Sequence, residues 1–262
     1  MTSLTDFSIT EQVTSYDTAF AEPDSVARSP TISTLSDICK LLSLDLLANN
    51  DTLSSIFQNR SVKPGQHIYR IGQVFESMYL VKAGFLKTAL LDHEGNERVI
   101  SFPMKGALLG SDGISNDRYA SEVTALSDCE LIVVPFRKLL ALGHACKELE
   151  HLIYRAVSGQ IVREQIDLVM LGSMRSDARV ARFLCIQAEH HAAQQYSSHT
   201  FLLRMTRRDI GSYLGLTLET VSRTLSALHA AQFVSIDQRI IKILKPEALR
   251  SLFQSKDRQY SN

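Results

Sequence analysis

The sequence lacks a net charge, a run of 18 apolar residues and a Cys-x-x-Cys pair, and each absence narrows what the chain can do. Without a long apolar run there is no membrane-spanning helix to expect. The first residues also lack the basic segment and apolar core of a secretory signal, so the expected location is the cytoplasm. The four cysteines, Cys39, Cys129, Cys146 and Cys185, are too dispersed for a zinc site or a redox pair and read as thiols in a reducing compartment. Of the eight histidines, His190 and His191 are adjacent, which keeps them off a common helical face, and metal-ligand spacing is absent. No nucleophile arrangement, phosphate-cradling loop or metal-ligand set is evident, which argues against an enzyme.

The neutral total of 28 Lys and Arg against 28 Asp and Glu hides an uneven distribution. From residue 174 onward there are 13 basic residues against 7 acidic ones, a net +6, so the rest of the chain carries the opposite charge. A basic C-terminal segment is what attraction to nucleic-acid phosphates requires.

The 262 residues suggest one or two domains, and 45% hydrophobic content is enough for sizeable cores. Residues 1–34 are rich in Ser and Thr, contain Pro23 and Pro30, and show no sustained period, as expected of a flexible arm. Residues 35–58 carry helical spacing through Leu42, Leu46, Leu47 and Leu53. From Ser61 to Phe136 the pattern changes to short β-type runs, among them 67–69, 78–81, 86–91, 99–102 and 131–134, separated by glycines. Such runs predict an antiparallel barrel or roll, so that residues 35–145 form a β-roll sensor domain in an α+β chain.

Residues 146–173 predict one long helix that serves for dimerisation. Val157, Ile161, Glu164, Leu168 and Leu171 fall at steps of four, three, four and three, the spacing of a coiled-coil seam, and a two-fold homodimer through this helix would cover it. Glu164 either faces its mate across the axis, at a cost in repulsion or protonation, or lies just off the seam in solvent.

Residues 174–262 contain the most informative stretch, TRRDIGSYLGLTLETVSRTLS at 206–226. Thr206 and Asp209 form a capping pair for a first helix, whose Ile210 and Leu214 share a face. Gly211 leaves room for a second helix to cross closely, and Gly215 supplies a turn where a positive φ is cheap only without a Cβ. Thr217 caps the second helix, with Leu218, Val221 and Leu225 expected inward and Glu219, Thr220, Ser222 and Arg223 outward. An outward polar set at the start of a second helix can read base edges in the major groove. Arginine there takes both guanine acceptors, glutamate accepts from cytosine N4, and serine or threonine touches several bases.

The roll, the long helix and above all MTRRDIGSYLGLTLETVSR resemble the Crp/Fnr superfamily of bacterial transcription regulators, in its Fnr branch, over about residues 35–250. The resemblance implies a winged helix-turn-helix and a homodimer on double-stranded DNA. Glu219, Ser222 and Arg223 match the Glu-x-x-Ser-Arg pattern with which Fnr-like proteins read TTGAT-N4-ATCAA. Thr206, Arg207 and Arg208 are then expected near phosphates, where they add affinity and register but no sequence information. The turn holding Gly95, Asn96 and Glu97 matches a loop through which Fnr-like activators touch RNA polymerase; its composition also suits an ordinary hairpin turn.

For the signal, the resemblance offers little. An Fnr-type iron–sulfur cluster needs soft thiolate ligands. Cys39 matches the last N-terminal ligand with no cysteine before it, Ile132 stands at the position of the roll ligand, and Cys129 falls three residues earlier. No such cluster is expected. A cyclic AMP pocket of this family uses a Gly-Glu-Leu segment and an Arg-Ser pair, whereas here the segments read Gly110-Ser111-Asp112 and Arg118-Tyr119-Ala120-Ser121, so cyclic AMP is not expected either. Haem stays open. Cys39, beside Lys40, is the candidate redox thiol, whereas Cys185 sits in an apolar run and is expected to be buried. Two other readings are a regulatory subunit of an enzyme and an architectural DNA binder. The first lacks a segment for catalysis, and the second does not need a base-matched triplet.

Overall fold

A computed structural model describes residues 32–33, 38, 41, 57–145, 147–193 and 197–254 of the chain. Strand β1 is Ile32–Ser33, β2 Phe57–Val62, β3 His67–Tyr69, β4 Ser77–Ala83, β5 Leu86–Leu91, β6 Glu97–Ser101, β7 Leu108–Leu109, β8 Glu122–Ala125 and β9 Cys129–Pro135. They build a five-stranded sheet of order β1-β2-β9-β4-β7 and a four-stranded sheet of order β3-β8-β5-β6, with antiparallel pairing throughout. The two sheets close over Leu80, Leu86, Val123, Leu131 and Ile132, all essentially inaccessible, and this is the expected roll. Burial alternates with a period of two over Cys129–Leu131 and again over Ile132–Pro135, the phase breaking where Leu131 and Ile132 are both buried.

Two boundary expectations change. Ile32 and Ser33, assigned from sequence to the flexible arm, form β1 against Phe57 and Gln58, and the Ser33 hydroxyl donates to Asn59 Oδ1 at 2.7 Å. A two-residue strand carries no readable period, which is why composition missed it. Phe57 and Gln58, the end of the expected helix over 35–58, belong to β2; most of that helix, like residues 1–31, lies outside the described residues.

Helix α1 (Phe136–Ala145) leads into α2 (Lys147–Ser173), the expected long helix. On α2, Tyr154, Ile161, Val162, Ile166, Leu168 and Val169 are exposed apolar side chains. Of the seam read from spacing, Ile161 and Leu168 are among them, Val157 is half-buried, and Leu171 packs against its own chain's C-terminal core. Glu164 is exposed and accepts from Gln160 Nε2 at 2.9 Å; Gln160 Oε1 in turn accepts from Ser111 Oγ of the roll at 3.3 Å. At 3.6 residues per turn, the exposed apolar stripe is rotated by roughly a quarter turn from the spacing-based seam. Leu171 therefore turns toward its own chain, while Glu164 stays exposed on the helix surface. A heptad count cannot foresee which flank of a helix the same chain will cover.

Beyond α2 come α3 (Ser176–Ala193), strand β10 (Thr200–Leu202), α4 (Arg207–Leu214), α5 (Leu218–Ala230), β11 (Val234–Asp237), β12 (Ile240–Ile243) and α6 (Pro246–Gln254). The three strands form an antiparallel sheet of order β10-β12-β11, the wing of a winged helix-turn-helix. Val180, Ala181, Leu184, Ile210, Val221, Val234, Ile241 and Leu249 fill its core. That core also takes in Val99 and Phe102 of the roll, so the two units share apolar packing, with Phe102 against Phe183 and Tyr213 at centroid distances of 5.9 and 5.3 Å. Among the described residues no helix is long and apolar enough to cross a membrane.

Candidate nucleic-acid interface

The helix pair α4 and α5 is built as its sequence dictates. Thr206 caps α4: its hydroxyl accepts from the Asp209 backbone N–H at 3.1 Å, and the Asp209 carboxylate returns a bond to the Thr206 N–H at 2.9 Å. Gly215 ends α4 at φ +63°, in the left-handed region that favours glycine. A Cβ on Gly211 would meet the Leu216 carbonyl oxygen at 2.7 Å, so the close approach of the turn depends on its absence. Alanine for glycine inside a helix ordinarily gains up to about 1 kcal/mol. Gly211→Ala is expected to reverse that sign and cost on the order of 1–3 kcal/mol, because the obstacle is backbone; urea unfolding of the two proteins checks it.

Helix α5 starts at its Thr217 cap, whose hydroxyl accepts from the Thr220 N–H at 3.2 Å. Val221 and Leu225 face inward as expected, and Leu228 continues the period. Leu218 does not: it is 43% exposed, because Leu216 in the turn packs against the core there instead. Glu219 and Arg223 are exposed and Thr220 and Ser222 half-exposed, so the outward set lies together on the first two turns of α5. Its own backbone N–H, then the Thr217 hydroxyl and the Arg223 charge, hold the Glu219 carboxyl below its usual range. The group is thus an ionised acceptor at neutral pH. Arg223 Nη2 reaches Thr220 Oγ1 at 3.4 Å, and the rest of the guanidinium faces outward.

At the start of α4, Arg208 is exposed, whereas Arg207 is half-buried with Nη1 enclosed and lacking a hydrogen-bond partner among the described residues. Burial pulls the Arg207 guanidinium below its ordinary value. Of the two arginines expected near phosphates, Arg208 is the one the fold leaves free.

Sequence reading missed the residues that position this pair. Lys87 of β5 lies between Glu97 and Asp209, and its Nζ donates to Asp209 Oδ1 at 3.1 Å. Burial acts to raise the Asp209 pKa, but bonds from Thr206 and then Lys87 outweigh it and leave the carboxyl below its usual range. The Val99 N–H donates to Ser212 Oγ at 2.9 Å, a second tie between the roll and α4. Arg179 donates to the Leu214 carbonyl at 2.9 Å and to that of Met174, closing the end of α4 onto the start of α3. On the wing, the Ile236 N–H donates to His229 Nδ1 at 3.1 Å.

The sequence profile of the Crp-like helix-turn-helix domain matches residues 178–252, and that of the cyclic nucleotide-binding domain matches residues 59–145. The transcriptional regulatory protein btr of Bordetella pertussis is 35% identical over 191 residues, covering 73% of this chain and 79% of that protein. The chain belongs to the Crp/Fnr family of transcription regulators. The fumarate and nitrate reduction regulatory protein of Yersinia pestis is 32% identical over 203 residues, 77% of this chain and 81% of that protein. Among solved structures, FixK2 from Bradyrhizobium japonicum superposes with a TM-score of 0.66 at 26% identity, over 75% of this chain and 97% of that one. This Crp/Fnr chain is therefore a transcription regulator with a DNA-binding helix-turn-helix, and not an enzyme.

The Crp/Fnr roll implies two prosthetic or effector groups, and the described residues fit neither. Asp112 Oδ2 accepts from both the Ser121 N–H and the Ser121 hydroxyl, each at 2.7 Å, so the donors at the phosphate turn are engaged by the chain's own carboxylate. Beside it Tyr69 and Tyr119 stack at 4.0 Å and are buried, filling the space between the sheets, and the Tyr119 hydroxyl donates to the Ser77 carbonyl. Arg118 turns away, donating to the Gly72 carbonyl at 2.7 Å. A cyclic phosphate would meet an anion where it needs cations. For a cluster, Ile132 is fully buried, and Cys129 is a buried thiol in contact with the Phe85 and Ser127 carbonyls at 3.4 and 3.3 Å, its pKa raised by burial. Neither side chain offers a thiolate. Cys185 is buried as expected, its pKa pushed up to about 11 by burial, while Cys39 and Cys146 lie outside the described residues. Among the described residues no group of three or more His, Cys, Asp or Glu could hold a metal ion.

The turn at Gly95, Asn96 and Glu97 is an exposed hairpin tip. Asp92 Oδ1 accepts from the Glu94 and Asn96 N–H groups at 3.0 and 2.8 Å, Arg98 donates to Asp92 Oδ2 at 2.9 Å, and Gly95 takes a φ of +80°. Glu97 is engaged by Lys87, so Gly95 and Asn96 form the freer part of the tip.

Proposed function

We propose that this regulator binds TTGAT-N4-ATCAA as a homodimer and does so without an Fnr-type cluster or cyclic AMP. The observation that carries the reading is the outward face of α5, where Glu219, Ser222 and Arg223 stand together beyond a well-capped N-terminus. The carboxylate of Asp112 on Ser121 and the buried Cys129 and Ile132 support the absence of the two usual inputs. Thr206, Thr217 and Arg208 lie where phosphates flank such a helix. Gly95 and Asn96 at the hairpin tip supply a surface for RNA polymerase when the operator places it within reach.

The deciding experiment is equilibrium binding, in air and without effector, to a TTGAT-N4-ATCAA duplex and to a scrambled duplex at one salt concentration. Selective binding is expected; equal affinity for the two duplexes would remove the proposal.

The exposed stripe on α2 supports self-association, because Leu168 and Val169 are 71% and 70% exposed beside Ile161 and Val162. Leu168→Glu with Val169→Glu is expected to shift the protein to a monomer in sedimentation and to weaken binding to the full palindrome at least tenfold. An unchanged dimer would place the interface elsewhere.

A further inference from the structure

A cleft of about 1120 Å³ opens between the segment after β6 (Phe102–Leu108), the middle of α2 and the C-terminal end of α3. Its floor is apolar, with Phe102, Met104, Leu108 and Ala156, and its rim carries Lys105, Arg155 and Arg163, with His190 nearby and no carboxylate among the lining residues. All three cations are exposed, and none forms an ion pair among the described residues. We propose that this cleft binds an amphipathic organic anion: an apolar body of roughly one or two rings, or a short alkyl chain, bearing a carboxylate, sulfonate or phosphate.

Gly159 gives the cleft its depth. A glycine in the interior of a helix is less favourable than alanine, and here it forms part of the wall, where an added Cβ would meet Arg163 Nη1 at 3.4 Å. The missing side chain lets the guanidinium lie along the helix over the floor. A floor without charge and a rim of one sign is the pattern of a site that holds an apolar body and fixes its anionic end. At roughly 100° per residue, Arg155 and Gly159 lie a heptad before Val162 and Ile166 and so border the exposed stripe, while Arg163 points about 160° away from Ile161; the cleft opens on the flank of that stripe. The cleft is also separate from the roll interior, where Tyr69 and Tyr119 are stacked and buried. Because Phe102 also packs on Phe183 and Tyr213, an occupant would touch the junction through which the roll meets the DNA-binding unit.

The test uses the full chain and 8-anilinonaphthalene-1-sulfonate as the probe, followed by fluorescence titration, with N-phenyl-1-naphthylamine as its uncharged counterpart. One saturable site per chain is expected, at least tenfold tighter for the sulfonate than for the neutral probe. Gly159→Leu, which fills the cleft, and the pair Arg155→Gln with Arg163→Gln, which removes its charge, should each weaken sulfonate binding at least tenfold while duplex binding persists. If Gly159→Leu fails to fold, the charge variant alone decides. Binding unchanged by the charge variant, equal affinity for the two probes, or no saturable binding would each overturn the proposal; loss confined to Leu168→Glu would assign the probe to the exposed stripe and overturn it too.

Discussion

Replacing Arg223 with alanine is expected to remove most of the preference for TTGAT over half-sites altered at the guanine, a loss of about 1–3 kcal/mol, or roughly 5- to 150-fold. The expectation rests on position and on freedom. Arg223 stands on the second turn of α5, is exposed, and spends only one long contact on Thr220. A bidentate pair with guanine O6 and N7 needs such a planar fork with its donors uncommitted, which lysine would not supply. Arg208→Ala makes the contrast. An exposed cation at the first turn of α4 is expected to meet phosphates and not base edges, so its loss should weaken target and scrambled duplexes alike and flatten the dependence of log K on log salt by about 1. The two variants, titrated against both duplexes at several salt concentrations, separate base reading from phosphate attraction. Equal loss on both duplexes for Arg223→Ala, with an altered salt slope, would make it a phosphate contact and leave the base-reading face to Glu219 and Ser222.

What the sequence revealed about this interface was what chemistry keeps local. The Thr206–Asp209 cap, the left-handed Gly215 and the Thr217 cap are each set by residues within three or four positions of one another, and all appear as read. The short runs at 67–69 and 86–91 coincide with β3 and β5 for the same reason. What escaped was decided across distance. Lys87 and Asp209 are 122 residues apart in sequence, yet meet at 3.1 Å, and nothing near either residue announces the other. Val99 in β6 and Phe102 just after it are apolar as a roll segment should be, but nothing local shows that they serve the DNA-binding core. Leu218 fits the helical period and is nonetheless exposed, because a turn residue covers the gap first. Asp112 could be recognised as a departure from the cyclic nucleotide pattern; that its carboxylate seals Ser121 follows only once the two segments are brought together.

The contact between the roll and the DNA-binding unit carries its own pH dependence through His191. Its imidazole is buried between Phe85 of the roll and Phe201 of β10, with ring centroids 4.9 and 5.2 Å away. Burial, then the charges of Arg204 and His190, lower its pKa to about 4. The folded chain therefore holds His191 neutral, whereas the unfolded chain takes up a proton near pH 6.5. The associated stability is fully present above about pH 6.5 and is lost as the pH falls toward 4, at up to about 1.4 kcal/mol per pH unit and about 3 kcal/mol in all. Urea unfolding of the wild type and of His191→Gln at several pH values between 7.5 and 4.5 isolates the effect, since other titrating groups contribute to both proteins. The wild type should lose stability faster than the variant across that window, and parallel curves would show that the imidazole is already protonated in the fold or solvated when buried. A further consequence is structural. Because the ring lies between aromatic partners from the two units, protonation should loosen their packing before either core melts, so hydrogen exchange at the backbone of Phe85 and Phe201 should rise near pH 5 while that of Leu184 and Leu131, at the centres of the two cores, stays slow.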